Sequence, residues 1–308
     1  MAATRGPIPG DHGRCSPKWW LHHTAPSLEP QPSAVSHAEQ PHTWYTTNLV
    51  GVPAHVLAST EFNAHPVSLH IVGTREAHAG LFALLDTSHD PQEASDMFVH
   101  YLSLVFGLQP AIEPSSPAEA RRWRVSYIKL LQSWGVDSNG QAGAVLKGWV
   151  ESRFGLVPCF HGARLRRFPS PAWVRYLEEK ASSRFHNNCI HQQLDLLYEF
   201  SQWALQRFQP FGGGLHVPLW RGITRCEEQI VKGTLGPGRR KLEVQLNNLV
   251  SFAMQSDQAE CFGDWLLRAD VPLVKLLFYP GLLRQVPLSG EGEVLAIGGF
   301  YEVEARHA

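Results

Sequence analysis

The chain has no stretch of about 18 consecutive apolar residues, the length that a membrane-crossing helix requires. Its N-terminus lacks the basic-then-apolar layout of a secretory signal. These two absences predict a cytoplasmic protein without a membrane span. Neither sign of charge dominates: 27 Lys and Arg stand against 28 Asp and Glu, for a formal net charge of −1. Binding nucleic acid through a basic surface is therefore disfavoured, because neutralising phosphates needs a clear cationic excess. Cysteine is scarce and unpaired in pattern. Cys15, Cys159, Cys189, Cys226 and Cys261 form an odd, scattered set with no C-x-x-C, which suits a reducing compartment better than a disulfide framework.

Two common cofactor signatures are also missing. No G-x-G-x-x-G follows a strand-like run, and Gly212, Gly213 and Gly214 sit in a linker position, which argues against a Rossmann nucleotide site. Sixteen histidines are present, eleven of them in the first 100 residues, yet none lies in an H-E-x-x-H or zinc-type spacing. No metal is expected. No internal repeat is visible.

What is there divides into three parts. Residues 1–42 are rich in Pro, His, Ser and Gly, a composition that predicts a disordered tail. Residues 43–208 read as a mainly helical subdomain. Helical spacing of apolar residues marks 76–85, 91–106, 117–134, 171–183 and 189–208. Asp90 is placed to cap the second, with Pro91 at its first position, and Ser116 to cap the third. Residues 209–308 change grammar. Short β-like runs occur at 215–220, 244–253, 273–279, 291–297 and 300–305, with one helix expected at 257–267. Gly298 and Gly299 read as a two-residue hairpin turn, since glycine tolerates positive φ. The fold expected is α+β.

The strongest chemical signal opens one of these strands, in Ser289-Gly-Glu-Gly-Glu-Val-Leu-Ala-Ile. Glu291 and Glu293 are one residue apart, so on a strand they share a face, roughly 7 Å apart along the backbone. Leu295 and Ile297 fall on that face too. Acids on an apolar face are costly to desolvate unless something uses them. A second E-x-E, Glu302 and Glu304, follows Tyr301 and precedes the chain end, and reads as two solvated acids beside the inward Tyr301 and Val303. The arginines Arg121, Arg122, Arg124, Arg153, Arg164, Arg166, Arg167, Arg175 and Arg184 make residues 121–184 locally basic, which reads as a solvated face or as a surface that steers an acidic partner.

Two further elements accompany the acid pair: Leu219-Trp-Arg221-Gly222 at the end of one expected strand, and Asn248-Leu-Val-Ser251-Phe-Ala in another. An Arg-Gly, then a strand serine, then an E-x-E, in that order, resembles the arginine/serine/glutamate class of mono-ADP-ribosyltransferases. Thr47-Asn-Leu-Val-Gly-Val-Pro-Ala, Ala58-Ser-Thr-Glu-Phe-Asn-Ala-His-Pro-Val and Val105-Phe-Gly-Leu narrow the likeness. Together they resemble the bacterial NAD(+)–dinitrogenase-reductase ADP-ribosyltransferases, over residues 45–305.

That resemblance implies a helical N-terminal subdomain packed on an ADP-ribosyltransferase-type split β-sandwich, with NAD as substrate. It implies that Glu293 and Glu291 are catalytic and that Arg221, Gly222 and Ser251 bind NAD. Glutamate at the first E-x-E position implies an arginine acceptor. The implied partners are dinitrogenase reductase, whose modification switches nitrogen fixation off, and a P-II type nitrogen signal protein as activator. The loop at 280–290, with Gly281, Arg284, Gln285 and Pro287, occupies the place of a target-recognition loop, or is a plain connector. Two rival readings keep the same residues: an NAD glycohydrolase with water as acceptor, and a non-catalytic regulatory module on the same fold.

Overall fold

The computed structural model describes residues 47–108, 126–181, 189–284 and 292–308. Two compact units divide the chain, Met1–Gln40 and Pro41–Ala308, and every described residue lies in the second. The tail expected at 1–42 and the Ser116 cap therefore lie outside the described residues.

The fold is α+β. The described helices are α1 (Ala54–Leu57), α2 (Thr60–Ala64), α3 (Thr74–Ala77), α4 (Ala79–Leu85), α5 (Pro91–Phe106), α6 (Tyr127–Val136), α7 (Gln141–Phe154), α8 (Pro171–Lys180), α9 (Ile190–Phe208) and α10 (Ser256–Glu260). The strands are β1 (Phe160–His161), β2 (Ala163–Arg164), β3 (His216–Ile223), β4 (Ile230–Lys232), β5 (Arg240–Ala253), β6 (Trp265–Pro272), β7 (Leu276–Phe278) and β8 (Glu293–His307). Side-chain caps set several helix starts. Asp90 accepts from the amides of Gln92 and Glu93, with Pro91 supplying a preset φ at the next position. Ser126 and Ser170 cap α6 and α8 in the same way.

Six strands form one antiparallel sheet in the order β4-β5-β3-β6-β8-β7, with an additional β5–β8 pairing. That extra pairing closes a ring: β3 pairs β6, β6 pairs β8, β8 pairs β5, and β5 returns to β3 through Trp220 opposite Ala253. The two long strands β5 and β8 make this possible by bending. Their register shifts between Leu246 and Leu249.

Gly298 and Gly299 lie at that bend, inside β8 and not in a hairpin. A Cβ at 298 would overlap the Asn247 carbonyl oxygen, and Gly299 holds φ 123° while the Ala58 backbone crosses over it. Phe300 N donates to Ala58 O at 2.7 Å. Close backbone approach, more than turn formation, requires these glycines. The bulge residues dock the helical part. Asn247 Nδ2 donates to Phe160 O and Asn248 Nδ2 to the carbonyls of Lys147 and Leu156.

Helix α9 runs along β7. Tyr198 Oη, Ser201 Oγ and Gln202 Nε2 donate to carbonyls of Val274, Leu276 and Leu273. They satisfy carbonyls of the 3-10 turn Leu273–Lys275 and of the first residue of β7, which burial would otherwise leave unpaired. One hydrophobic core takes residues from both helices and sheet, among them Phe98, Trp149 and Phe200 with Leu219, Val250 and Leu295.

Several elements differ from expectation. The helix expected at 257–267 ends at Glu260, and Trp265–Pro272 is a strand paired along the whole of β3. The single helix expected at 76–85 is broken at His78, whose φ of −121° is not helical. Helix α7 was not anticipated at all. It is buried on nearly every side, so it carries no polar face to reveal its period.

Candidate functional site

The ring closes at one residue. Ala253 of β5 faces Trp220 of β3 on one side and Glu293 of β8 on the other. The residues next along these strands are the ones singled out in the sequence. Arg221 follows Trp220, and Ser251 lies two before Ala253 on the same face. Ser251 and Glu293 are therefore diagonal neighbours across an antiparallel pair, within side-chain reach.

The contacts follow from that register. Ser251 Oγ donates to Glu293 Oε1 at 2.7 Å. Arg221 Nη1 donates to the Ser251 carbonyl at 2.6 Å. Its Nε is buried with no acceptor among the described residues. Trp134 Nε1, from the last turn of α6, donates to Ser251 Oγ at 2.8 Å. Burial pushes the Glu293 carboxyl above its ordinary value, opposed by the Ser251 hydrogen bond and by the Arg221 charge. Burial likewise lowers the Arg221 guanidinium, with Glu293 opposing.

Gly222 faces α10. A Cβ there would overlap the Ala259 carbonyl oxygen and press on Phe262 at 3.2 Å, so a side chain would displace α10 from the strand. Gln258 of the same helix lies against Gly292, which takes φ 81°, and its buried Oε1 has no hydrogen-bond partner among the described residues. Met254 N donates to Gly292 O, extending the β5–β8 pairing by one step. Glu291, Gln285 and Pro287 lie outside the described residues. Arg284 is described, with its amide donating to Ser95 Oγ.

Behind Trp134 lies a buried polar cluster that the sequence did not announce. Lys147 Nζ stands 5.8 Å from the indole ring centroid. It donates to Asn139 Oδ1 and to Phe160 O, and lies 3.2 Å from His161 Nδ1. His161 Nε2 in turn is 2.8 Å from Glu179 Oε2. Burial lowers Lys147 to about 8, with Cys159, Asp137 and Glu179 opposing.

The second E-x-E is separate from this site. Tyr301 and Val303 are buried, while Glu302 is exposed and Glu304 reaches toward Arg268 at 4.0 Å. Of the basic set, Arg153, Arg164 and Arg175 pair with Asp195, Glu228 and Glu179. Arg121, Arg122, Arg124 and Arg184 lie outside the described residues. Among the described residues, no group of three or more His, Cys, Asp or Glu could hold a metal ion, and no helix is long and apolar enough to cross a membrane.

A half-buried carboxylate held by a hydroxyl and set near a partly buried guanidinium suits a ligand that gains positive charge next to an anionic group. Comparisons with known proteins point to one such class. A family model described as "Dinitrogenase reductase ADP-ribosyltransferase (DRAT)" matches residues 47–305. The NAD(+)--dinitrogen-reductase ADP-D-ribosyltransferase of Rhodospirillum rubrum is 45% identical over 273 residues, covering 87% of this chain and 98% of that protein. No solved structure matches the chain. The chain belongs to the dinitrogenase reductase ADP-ribosyltransferase family.

Proposed function

We propose that this protein is an enzyme that transfers ADP-ribose from NAD to an arginine of dinitrogenase reductase, releasing nicotinamide and switching nitrogen fixation off. The observation that carries the reading is the contact of Arg221, Ser251 and Glu293 at the junction of β3, β5 and β8. The closed ring of β3, β6, β8 and β5 supports an ADP-ribosyltransferase-type split β-sandwich as the catalytic core. On this reading residues 209–308 form the NAD-binding core and 43–208 a helical subdomain on it. The scatter of free cysteines, Cys159, Cys189, Cys226 and Cys261, supports action in a reducing cytoplasm. A P-II type signal protein is the activator that the family reading suggests.

The chemistry resembles glycoside cleavage. The bond from ribose C1′ to the nicotinamide nitrogen breaks, and its electron pair stays with nicotinamide, which departs neutral. The ribose gains positive charge. The Glu293 carboxylate, aimed by Ser251, stabilises that charge more in the transition state than in the ground state. Arg221 braces the junction and lies where a diphosphate's charge is matched. Gly222, whose missing side chain makes room for α10, offers its backbone amide and carbonyl to the nicotinamide amide. An arginine acceptor is protonated and a weak nucleophile, with a pKa above about 12. A nearly formed cation relaxes that requirement. The guanidinium nitrogen bonds to C1′, and its proton passes to Glu291.

Labelled NAD tests the reading against water as acceptor. Incubated with dinitrogenase reductase, the enzyme should place label on that protein through a guanidinium linkage. Label appearing only as free ADP-ribose, with or without the target, would instead establish a glycohydrolase, and no turnover of NAD under activating conditions a regulatory module.

A further inference from the structure

Trp134 belongs to none of the three strands that build the site, and it lies 117 residues from Ser251 in sequence. Its indole nevertheless completes the contact between Ser251 and Glu293. An indole N–H only donates, whereas a serine hydroxyl accepts on its lone pairs and donates one proton. Ser251 Oγ accepts from Trp134 Nε1 at 2.8 Å, and Glu293 Oε1 lies 2.7 Å from the same oxygen. With the indole proton occupying one lone-pair direction, the serine proton is left to point at the carboxylate. Without it the carboxylate alone orients the hydroxyl, and the other staggered positions become accessible to its proton.

We propose that Trp134 is a positioning residue for ADP-ribosyl transfer: its indole N–H fixes the direction of the Ser251 hydroxyl, so that Glu293 receives that proton as a hydrogen bond while the ribose becomes cationic. The inference rests on the assignment of Glu293 to the nicotinamide ribose. The indole is itself held. Trp134 is 4% exposed, and Lys147 Nζ stands over its ring, anchored by Asn139, the Phe160 carbonyl and His161. The helical part of the chain thus supplies an orienting contact to a site otherwise built from the sheet, and transfer depends on α6 being seated against β5.

Among the described residues, few charged groups surround this contact, with Asp137 acting on Lys147 from the end of α6. Arg221 from β3 faces Glu293, Cys159 lies near Arg221, and Lys147, His161 and Glu179 stand on the far side of the indole. A hydrogen bond to the ionised carboxylate favours ionisation. Weakening it raises the Glu293 pKa, so less carboxylate is present at any acidic pH and the acid limb of the rate profile moves to higher pH.

The experiment is a double-mutant cycle in the full-length protein with dinitrogenase reductase as acceptor. Trp134→Phe should lower kcat by about tenfold and leave the KM for NAD within about twofold, because the contact matters most as charge develops. The acid limb should move to higher pH in Trp134→Phe and in Ser251→Ala alike. The double variant should be no slower than Ser251→Ala alone, since one contact cannot be lost twice. Additive losses, or a Trp134→Phe enzyme with normal kcat and an unmoved acid limb, would overturn the proposal. A second readout needs no substitution at 134. The Trp134 indole N–H resonance of the unaltered protein should follow the titration of Glu293 and cease to do so in Glu293→Gln; a resonance indifferent to that titration also overturns it. Full transfer by Glu293→Gln is a different failure, because it removes the catalytic reading on which this inference stands.

Discussion

Glu293→Gln should cripple transfer, lowering kcat by about a hundredfold to a thousandfold, while the KM for NAD changes only a few-fold. The substitution keeps the shape and the amide oxygen, so Ser251 retains an acceptor. What it removes is charge. A preorganised ionic group facing a developing charge in a site shielded from water is worth on the order of 3–4 kcal/mol, which sets the size of the loss. Burial raises the Glu293 carboxyl above its ordinary value, so activity in the unaltered enzyme should already fail on the acid side at higher pH than an exposed glutamate would give. The fold should survive. The cost of burying the carboxylate disappears, and the loss of a partner for the partly buried Arg221 acts in the opposite direction. Steady-state transfer of labelled ADP-ribose, with a thermal melt alongside, reads all of this. A Glu293→Gln enzyme that keeps a tenth of its activity would contradict the assigned role.

The second large effect lies away from the site. Lys275→Met should make the protein more stable at neutral and mildly acidic pH, and should flatten the dependence of its stability on pH. Lys275 is fully buried. Its Nζ donates to Gly298 O at 3.3 Å and stands 5.4 Å and 5.1 Å from the ring centroids of Phe62 and Tyr301. No carboxylate pairs with it among the described residues, and burial lowers its pKa from 10.5 to about 7. The sign follows from proton counts. Between about pH 7 and pH 10.5 the unfolded chain binds a proton that the folded chain does not, so stability rises with pH across that window. Below the window the lysine is charged in both states, and the cost of burying the charge is borne in full.

Methionine fills similar space without a charge. The shift corresponds to at most about 5 kcal/mol, reduced in practice by relaxation and by the rings that face the ammonium. Thermal melts between about pH 6 and pH 10 should show the unaltered protein gaining stability that Lys275→Met does not, with the variant about 5 °C or more higher in Tm at the acidic end. Lys147, also lowered, titrates in both proteins and cancels in the comparison. Parallel curves for the two proteins would mean that Lys275 is not held uncharged by the core.

Part of the candidate site and part of the fold are legible in the sequence. Arg221, Ser251 and Glu293 stand out because each sits near an apolar strand-like run, and their order carries the resemblance. Their meeting needed the ring closure through Ala253, which no local pattern encodes. Asp90 with Pro91 announced α5 because capping is local chemistry. The buried helix α7 stayed hidden because it presents no polar side. Gly298 and Gly299 looked like a turn because the same freedom serves a turn and a close backbone crossing. Asp257 to Leu267 read as one helix because its apolar residues are short and mixed, and only pairing with β3 makes Trp265–Leu267 a strand. Trp134 gave no signal, since a tryptophan in an amphipathic helix is ordinarily core, and its partner lies far along the chain.

The most direct measurement is a crystal structure of the enzyme with NAD bound. Glu293 should be found in hydrogen-bonding contact with the nicotinamide ribose, with Ser251 still donating to it and the diphosphate on the Arg221 side. A dinucleotide whose ribose lies more than about 6 Å from that carboxylate, beyond direct or one-water contact, would contradict the mechanism at its root.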